Sequence, residues 1–93
     1  MYYNDIFHQP YRTKIMVMLI NAEKVEFKEI KERLELTSGN MTRHMGVLVD
    51  HGFVEVEKIF VGKKPKTLYL ITETGREAFR GYLKILRNII EEC

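Results

Sequence analysis

Two clusters in this 93-residue chain hold side chains able to do chemistry on an anionic, base-bearing surface. The first is Ser38-Gly39-Asn40-Met41-Thr42-Arg43, within LELTSGNMTRHMGVLVDHGFVEV. Arg43 can offer a two-pronged donor to guanine O6 and N7. Asn40 can pair with adenine or a phosphate, and Thr42 can bond to either. Ser38, at the start of a helix, can hold a phosphate beside the free backbone N–H groups there. The second cluster is Lys63, Lys64 and Lys66 around Pro65, in a segment without an acid. Lysines on a projecting hairpin suit phosphates or a minor groove. Each cluster alone has a plainer reading: a solvated helix face for the first, and a hairpin tip kept soluble by lysine for the second.

What decides between the readings is the set of elements that would position these residues. Met41, Met45 and Leu48 recur at i, i+4, i+7 and predict a helix from Ser38 to about Asp50. Thr37 is its N-cap and His51-Gly52 its stop. On that helix the apolar residues face a core. Gly39, Arg43, Gly46 and Asp50 lie on the opposite side, flanked by Asn40, Thr42 and Val47. His44 reads as partly buried structure and His51 as a cap. Glycine in a helix costs about 1 kcal/mol relative to alanine, a cost that makes sense at Gly39 and Gly46 if another backbone must come close. Upstream, Phe27, Ile30 and Leu34 mark a short helix. It sits in a stretch, Glu23–Glu35, whose five Glu alternate with Lys24, Lys28, Lys31 and Arg33, and Val25-Glu26-Phe27 could form a strand stub before it. Pro10 opens a helix apolar on nearly all sides, which calls for partners on two faces. Downstream, Phe53–Val61 and Thr67–Thr72 flank GKKPK and predict a β-hairpin. A last helix of about 18 residues follows, capped by Thr74 or, one turn earlier, by Thr72. Phe79, Tyr82, Leu83, Leu86, Ile89 and Ile90 lie on its apolar stripe.

Helix, short helix, tight turn, helix, hairpin, helix is the order of a helix-turn-helix with a wing. The fold class is therefore α+β, mostly α: three helices, a β-hairpin wing and a long C-terminal helix. A single domain spans 1–93, with the helix-turn-helix at about 27–51, the wing at about 53–72 and the last helix at about 73–92. The run LTSGNMTRHMGVLVDHGFVEVEKIFVGKKPKTLYLITETGREAF resembles the MarR/ArsR-type winged-helix transcriptional regulators, closest to their compact single-domain members. Their pattern reads roughly L-T-x-G-N-L-S-x-H-L-x-x-L-x-x-x-G-(aromatic)-V, a basic wing, then L-T-x-x-G-R-x-A-F. Met41, Met45 and Thr42 are mild departures from it. The resemblance implies double-stranded DNA as partner, read by Ser38, Gly39, Asn40, Thr42 and Arg43 and gripped by Lys63, Lys64 and Lys66, with Arg12, Lys14 and Lys58 as further phosphate candidates. It also implies a homodimer, a repressor role by operator occlusion, and room for an unidentified small-molecule effector.

The apolar excess at both ends points to the same dimer. Tyr2, Tyr3, Ile6 and Phe7 at one end and Leu83, Leu86, Ile89 and Ile90 at the other exceed what so small a core needs. Tyr3, Phe7, Tyr82, Leu86, Ile89 and Ile90 are the expected interface, unless the ends fold onto their own core. Composition narrows the remaining classes. With 45% hydrophobic and 30% charged residues the chain is an ordinary globular one. The longest apolar run, Ile15–Ile20, is far short of the roughly 20 residues of a membrane span. With no signal segment evident and a single cysteine, Cys93, the chain is expected in the cytoplasm. The three His and one Cys are too scattered for a metal site, and no cofactor is expected. No phosphate loop, H-E-x-x-H or paired carboxylates suggest an enzyme. The rival from another class is a winged-helix protein-interaction module without DNA binding, which would be expected to lack the basic residues at Arg43 and the wing.

Overall fold

The computed structural model describes residues 4–92. Tyr2, Tyr3 and Cys93 lie outside the described residues, and with them the expected interface role of Tyr3. The elements follow as α1 (Pro10–Ile20), β1 (Val25–Glu26), α2 (Phe27–Arg33), α3 (Ser38–Asp50), β2 (Val54–Val61), β3 (Lys64–Ile71) and α4 (Glu73–Glu92). The three strands form one antiparallel sheet in the order β1-β3-β2. This is the winged-helix fold expected from the residue pattern, with four helices and the strand stub before α2 pairing to β3.

Each helix end has a local cause. Gln9 caps α1, its side chain accepting from Arg12 N–H at 2.9 Å, and Pro10 takes the first turn where its missing N–H costs nothing. Two Schellman motifs frame α3. At the end of α2, Leu36 N–H bonds to Lys31 O (3.0 Å) and Glu35 N–H to Glu32 O (3.3 Å), with Glu35 in the left-handed region at φ 52°. At the end of α3, Phe53 N–H reaches Leu48 O (3.0 Å) and Gly52 N–H reaches Val49 O (2.9 Å), with Gly52 at φ 75°. The glycine makes the second turn inexpensive, whereas Glu35 carries about 1–2 kcal/mol of strain in the first. Of the two candidate caps for α4 it is Thr72 that serves, its hydroxyl accepting from Gly75 N–H at 2.8 Å.

The core joins all four helices to the inner end of the sheet. Ile15, Met16 and Leu19 of α1, Ile30 of α2, and Met41, Met45 and Leu48 of α3 pack against Val25, Val54 and Tyr69. Phe7 is the hub of an aromatic cluster that ties α4 to this body. Its ring lies 4.8 Å from Phe53, 5.3 Å edge-on from Phe79 and 5.8 Å from Tyr82. This corrects one expectation. Phe7 and Tyr82, assigned to a dimer interface by sequence, are 0% and 3% exposed within their own chain and have no surface left for a partner. Gly75 lies in the same region because α4 crosses the chain after α3 so closely. A Cβ there would overlap the Phe53 carbonyl oxygen and sit 2.8 Å from its carbon.

The wing differs from expectation at its tip. The turn is two residues, Gly62-Lys63, not the five of GKKPK; Lys64, Pro65 and Lys66 already belong to β3. Gly62 has φ 65° while Lys63 keeps a negative φ, the combination of a type II′ turn, whose twist matches the strands it joins. Pro65 is tolerated in β3 because it stands opposite Phe60, one step beyond the closing pair Val61–Lys64. Alternation makes that a non-hydrogen-bonded pair, so an N–H there would point away from β2, and β1 reaches only Leu68 and Tyr69.

Candidate nucleic-acid interface

The candidate surface is built on α3 from its N-terminus. Thr37 Oγ1 accepts from Asn40 N–H at 3.1 Å and Thr37 O from Met41 N–H at 2.9 Å. The N–H groups of Ser38 and Gly39 are left pointing out of the helix start, where the helix dipole favours an anion. Burial of Met41, Met45 and Leu48 fixes the rotation of the helix, so that Ser38, Gly39, Asn40, Thr42 and Arg43 are all exposed. The Arg43 guanidinium donates from Nη2 to Asn40 Oδ1 at 3.4 Å, which holds the two longest polar side chains of this face side by side. Gly39 and Gly46 have open space where a Cβ would stand, with no atom within 4 Å. Neither glycine is therefore demanded by packing within the chain.

The inner face of α3 carries a polar anchor that sequence reasoning read only as partial burial. His44 is 3% exposed, and its Nδ1 lies 3.3 Å from Arg12 Nη1. Because a guanidinium can only donate, Nδ1 accepts and the imidazole is neutral with its proton on Nε2. Burial, reinforced by the charges of Arg43 and Arg12, pushes the His44 pKa below its ordinary 6.5. The Tyr11 ring stands 5.7 Å from the imidazole. Arg12 also donates from Nε to Ile6 O at 2.6 Å. It thus ties α3, α1 and the N-terminal segment together, and it is occupied by structure rather than presented as a phosphate contact. His51 caps as expected, its Nδ1–H donating to Val47 O at 2.9 Å.

The three wing lysines part company. Lys63, in the turn, and Lys64, at the start of β3, are exposed and have no partner among the described residues. Lys66 is half-buried and pairs with Glu26 at 3.7 Å, while Lys24 and Glu57 form a second tie between the wing base and the body at 2.9 Å. Lys58 and Lys14 are exposed. Two open grooves flank α1. One of about 340 Å³ is lined by His8, Gln9, Pro10, Thr13, Lys14 and Tyr82, and one of about 320 Å³ by Thr13, Lys14, Val17, Met18, Arg33 and Leu34. No cluster of His, Cys, Asp or Glu among the described residues could hold a metal ion. No helix among them is long and apolar enough to cross a membrane.

Beyond its core contacts, α4 continues as an apolar stripe. Leu86 and Ile89 are half-buried, Leu83 is exposed, and Ile90 is 74% exposed. At 1.5 Å per residue the 20-residue helix is about 30 Å long, against a molecule 53 Å in its longest dimension and 26 and 21 Å in the others.

Comparison with known proteins fits this geometry. Residues 11–90 match the winged-helix DNA-binding domain family. An uncharacterised protein of Methanocaldococcus jannaschii is 40% identical over 92 residues, covering 95% of this chain and 98% of that one. A transcriptional regulator homologue of Pyrococcus horikoshii superposes with a TM-score of 0.89 at 32% identity, over 96% of this chain and 88% of its own. At the level of fold alone, a MarR-family regulator of Porphyromonas gingivalis superposes with a TM-score of 0.69 at 17% identity, over 96% and 86% of the two chains.

Proposed function

The chain belongs to the winged-helix DNA-binding domain family, and on that premise we propose that it is a MarR/ArsR-type transcriptional regulator, acting as a sequence-specific, homodimeric repressor. The observation that carries the reading is the outer face of α3. Five small or hydrogen-bonding residues, Ser38 to Arg43 without the buried Met41, stand exposed on a helix whose rotation the core fixes, beside two unpaired wing lysines. A 13-residue helix about 20 Å long, with a narrow glycine-bearing face, suits a major groove about 12 Å wide. Arg43 and Asn40 then read base edges, Thr42 supports them, and Ser38 with the N–H groups of the first turn takes a phosphate. Lys63 and Lys64 take backbone phosphates beyond the groove, while Lys66 contributes less because Glu26 offsets its charge.

The stripe of Leu83, Leu86, Ile89 and Ile90, which no element among the described residues covers fully, supports dimerisation. A two-fold axis through α4 would set two recognition helices about 34 Å apart, one turn of duplex, and make the operator an inverted repeat. Occlusion of a promoter by the bound dimer is the simplest regulatory outcome, and a cytoplasmic location goes with that reading. A small-molecule effector, if one acts, has the two grooves along α1 as its candidate seats. Both have volumes in the range of ligand pockets. The protein-interaction alternative is disfavoured by the exposed Arg43 and the unpaired Lys63 and Lys64.

The test is a salt titration of binding to duplex for wild type, Arg43→Ala and a Lys63/Lys64→Ala pair. The lysine pair should lower the slope of log affinity against log salt by up to about 1.8, at roughly 0.9 per phosphate contact. Arg43→Ala should weaken selected duplex about 5- to 150-fold, the worth of a bidentate base contact of roughly 1–3 kcal/mol. Unchanged binding in both would end the assignment of the DNA contact to α3 and the wing, and a wild type that binds no duplex would end the DNA reading.

A further inference from the structure

The outer half of the wing carries an aromatic ring that the fold does not use. Residues opposite one another in the hairpin share a face, so Val54, Val56, Lys58 and Phe60 line up with Ile71, Tyr69, Thr67 and Pro65. At the inner end this face is core, with Val54 and Tyr69 buried. Outward it emerges into solvent, and Phe60 is 73% exposed. Six residues at 3.3 Å each place it about 20 Å from Val54, and β1 stops at the level of Leu68. No other element among the described residues reaches it.

A lone exposed aromatic needs no explanation in general. This one sits in a segment with no acid: from Lys58 to Thr72 the chain has Lys58, Lys63, Lys64 and Lys66, of which Lys66 pairs with Glu26. Its neighbour across the non-hydrogen-bonded pair is Pro65, a rigid ring that backs it. Docking of two wings in a second copy would bring Lys58, Lys63 and Lys64 of both chains within a Debye length of about 8 Å, which opposes that occupant. A phosphate-lined groove draws the same charges in. Rigid apolar side chains presented between cations are the equipment with which proteins prise open a base step from the minor groove.

We propose that Phe60, backed by Pro65, is an apolar wedge that the wing presses against a base step in the minor groove of duplex DNA, with Lys63 and Lys64 on the flanking phosphates. This rests on the DNA-binding reading above. It adds a source of sequence preference that α3 does not supply. Flexible pyrimidine–purine steps yield most easily to such a wedge and would be favoured where the wing lands, at positions no polar side chain reads.

The experiment uses the full chain and a 30-base-pair duplex recovered from a random pool by wild-type protein, dye-labelled at both ends. Affinity, salt dependence and end-to-end energy transfer are measured for wild type, Phe60→Ala and Phe60→Lys. Both substitutions lie far from the core, and their melting should stay within about 3 °C of wild type. Wild type should bend the duplex by at least about 20°. Phe60→Ala should bind about ten-fold more weakly, leave the duplex straight and keep the same salt slope, because an apolar contact releases no counterions. Phe60→Lys should bind no better than Phe60→Ala despite its extra charge. Equal affinity and bending in Phe60→Ala, or tighter binding by Phe60→Lys than by wild type, overturns the wedge and leaves the DNA reading intact. A change of oligomeric state in DNA-free Phe60→Ala overturns it in favour of a protein contact at this face. Wild-type protein that binds no duplex removes both readings together.

Discussion

Replacing Gly46 by alanine should make the protein more stable and less active, and the two effects can be sized separately. Gly46 is the ninth residue of the 13-residue α3, well inside the helix, and a Cβ built on it meets no atom within 4 Å. The substitution neither clashes nor fills a cavity, so the helix-propensity difference of about 0.8–1.0 kcal/mol is the whole folding effect. For a domain of this size that raises the melting temperature by about 4–8 °C. If the same face lies against DNA, the methyl group meets sugar or phosphate and costs at least about 1 kcal/mol of binding, a five-fold or greater loss. Gly81 supplies the control. It too is inside a helix with open space around it, but on α4 and away from the recognition face. Gly81→Ala should give a similar rise in melting temperature with affinity unchanged. Thermal unfolding by circular dichroism and anisotropy on a labelled duplex measure both quantities. A Gly46→Ala protein that is more stable and binds as tightly as wild type would refute the close approach; one that is less stable would refute the open geometry around α3.

Other substitutions test other joints of the structure. Gly75→Ala forces a Cβ into the Phe53 carbonyl and should destabilise by roughly 2–4 kcal/mol, lowering the melting temperature by about 10 °C or more, because backbone rather than a flexible side chain must give way. His44, buried and held below its ordinary pKa of 6.5, takes up a proton more readily when unfolded. The unfolded state then binds more protons, so stability present above about pH 6.5 is lost as pH falls through the depressed folded pKa. Thermal melts at pH 7.5 and 5.0 should show a loss that His44→Gln reduces, and an equal loss in both proteins would remove His44 as the cause. Ile90→Asp should convert a dimer to monomer in sedimentation at micromolar concentration without lowering helicity, since Ile90 is largely exposed within its own chain. A wild-type protein that sediments as monomer would end the dimer proposal.

How much of this was legible depended on how local each signal is. The bounds of α3, its Thr37 cap and its Gly52 stop are written within a few residues of one another, and they stand as read. The wing tip was misjudged because glycine and proline both signal turns. Only the pairing register shows that Gly62 makes the turn while Pro65 sits harmlessly in a strand at a position needing no N–H. Phe7 and Tyr82 illustrate a different limit. A stripe of apolar side chains states that a face will be buried but not by which chain, and the aromatic cluster around Phe7 consumed both residues internally. Arg12 was read as a phosphate candidate, yet the fold brings Ile6 O and His44 Nδ1 to its guanidinium. Gly75 could be seen as part of a capping pattern. The backbone that crosses it, Phe53, lies 22 residues away in sequence, and no local pattern records that approach.

The claim that α3 reads base sequence is tested most directly by sequencing the duplexes that wild-type protein and Arg43→Ala retain from a random pool. Wild type should enrich an inverted repeat whose half-site centres lie about 10–10.5 base pairs apart. Arg43→Ala should lose a guanine preference at one position of each half-site while keeping the rest of the pattern. A wild-type pool with no enriched sequence, or an Arg43→Ala pool identical to it, would contradict the account.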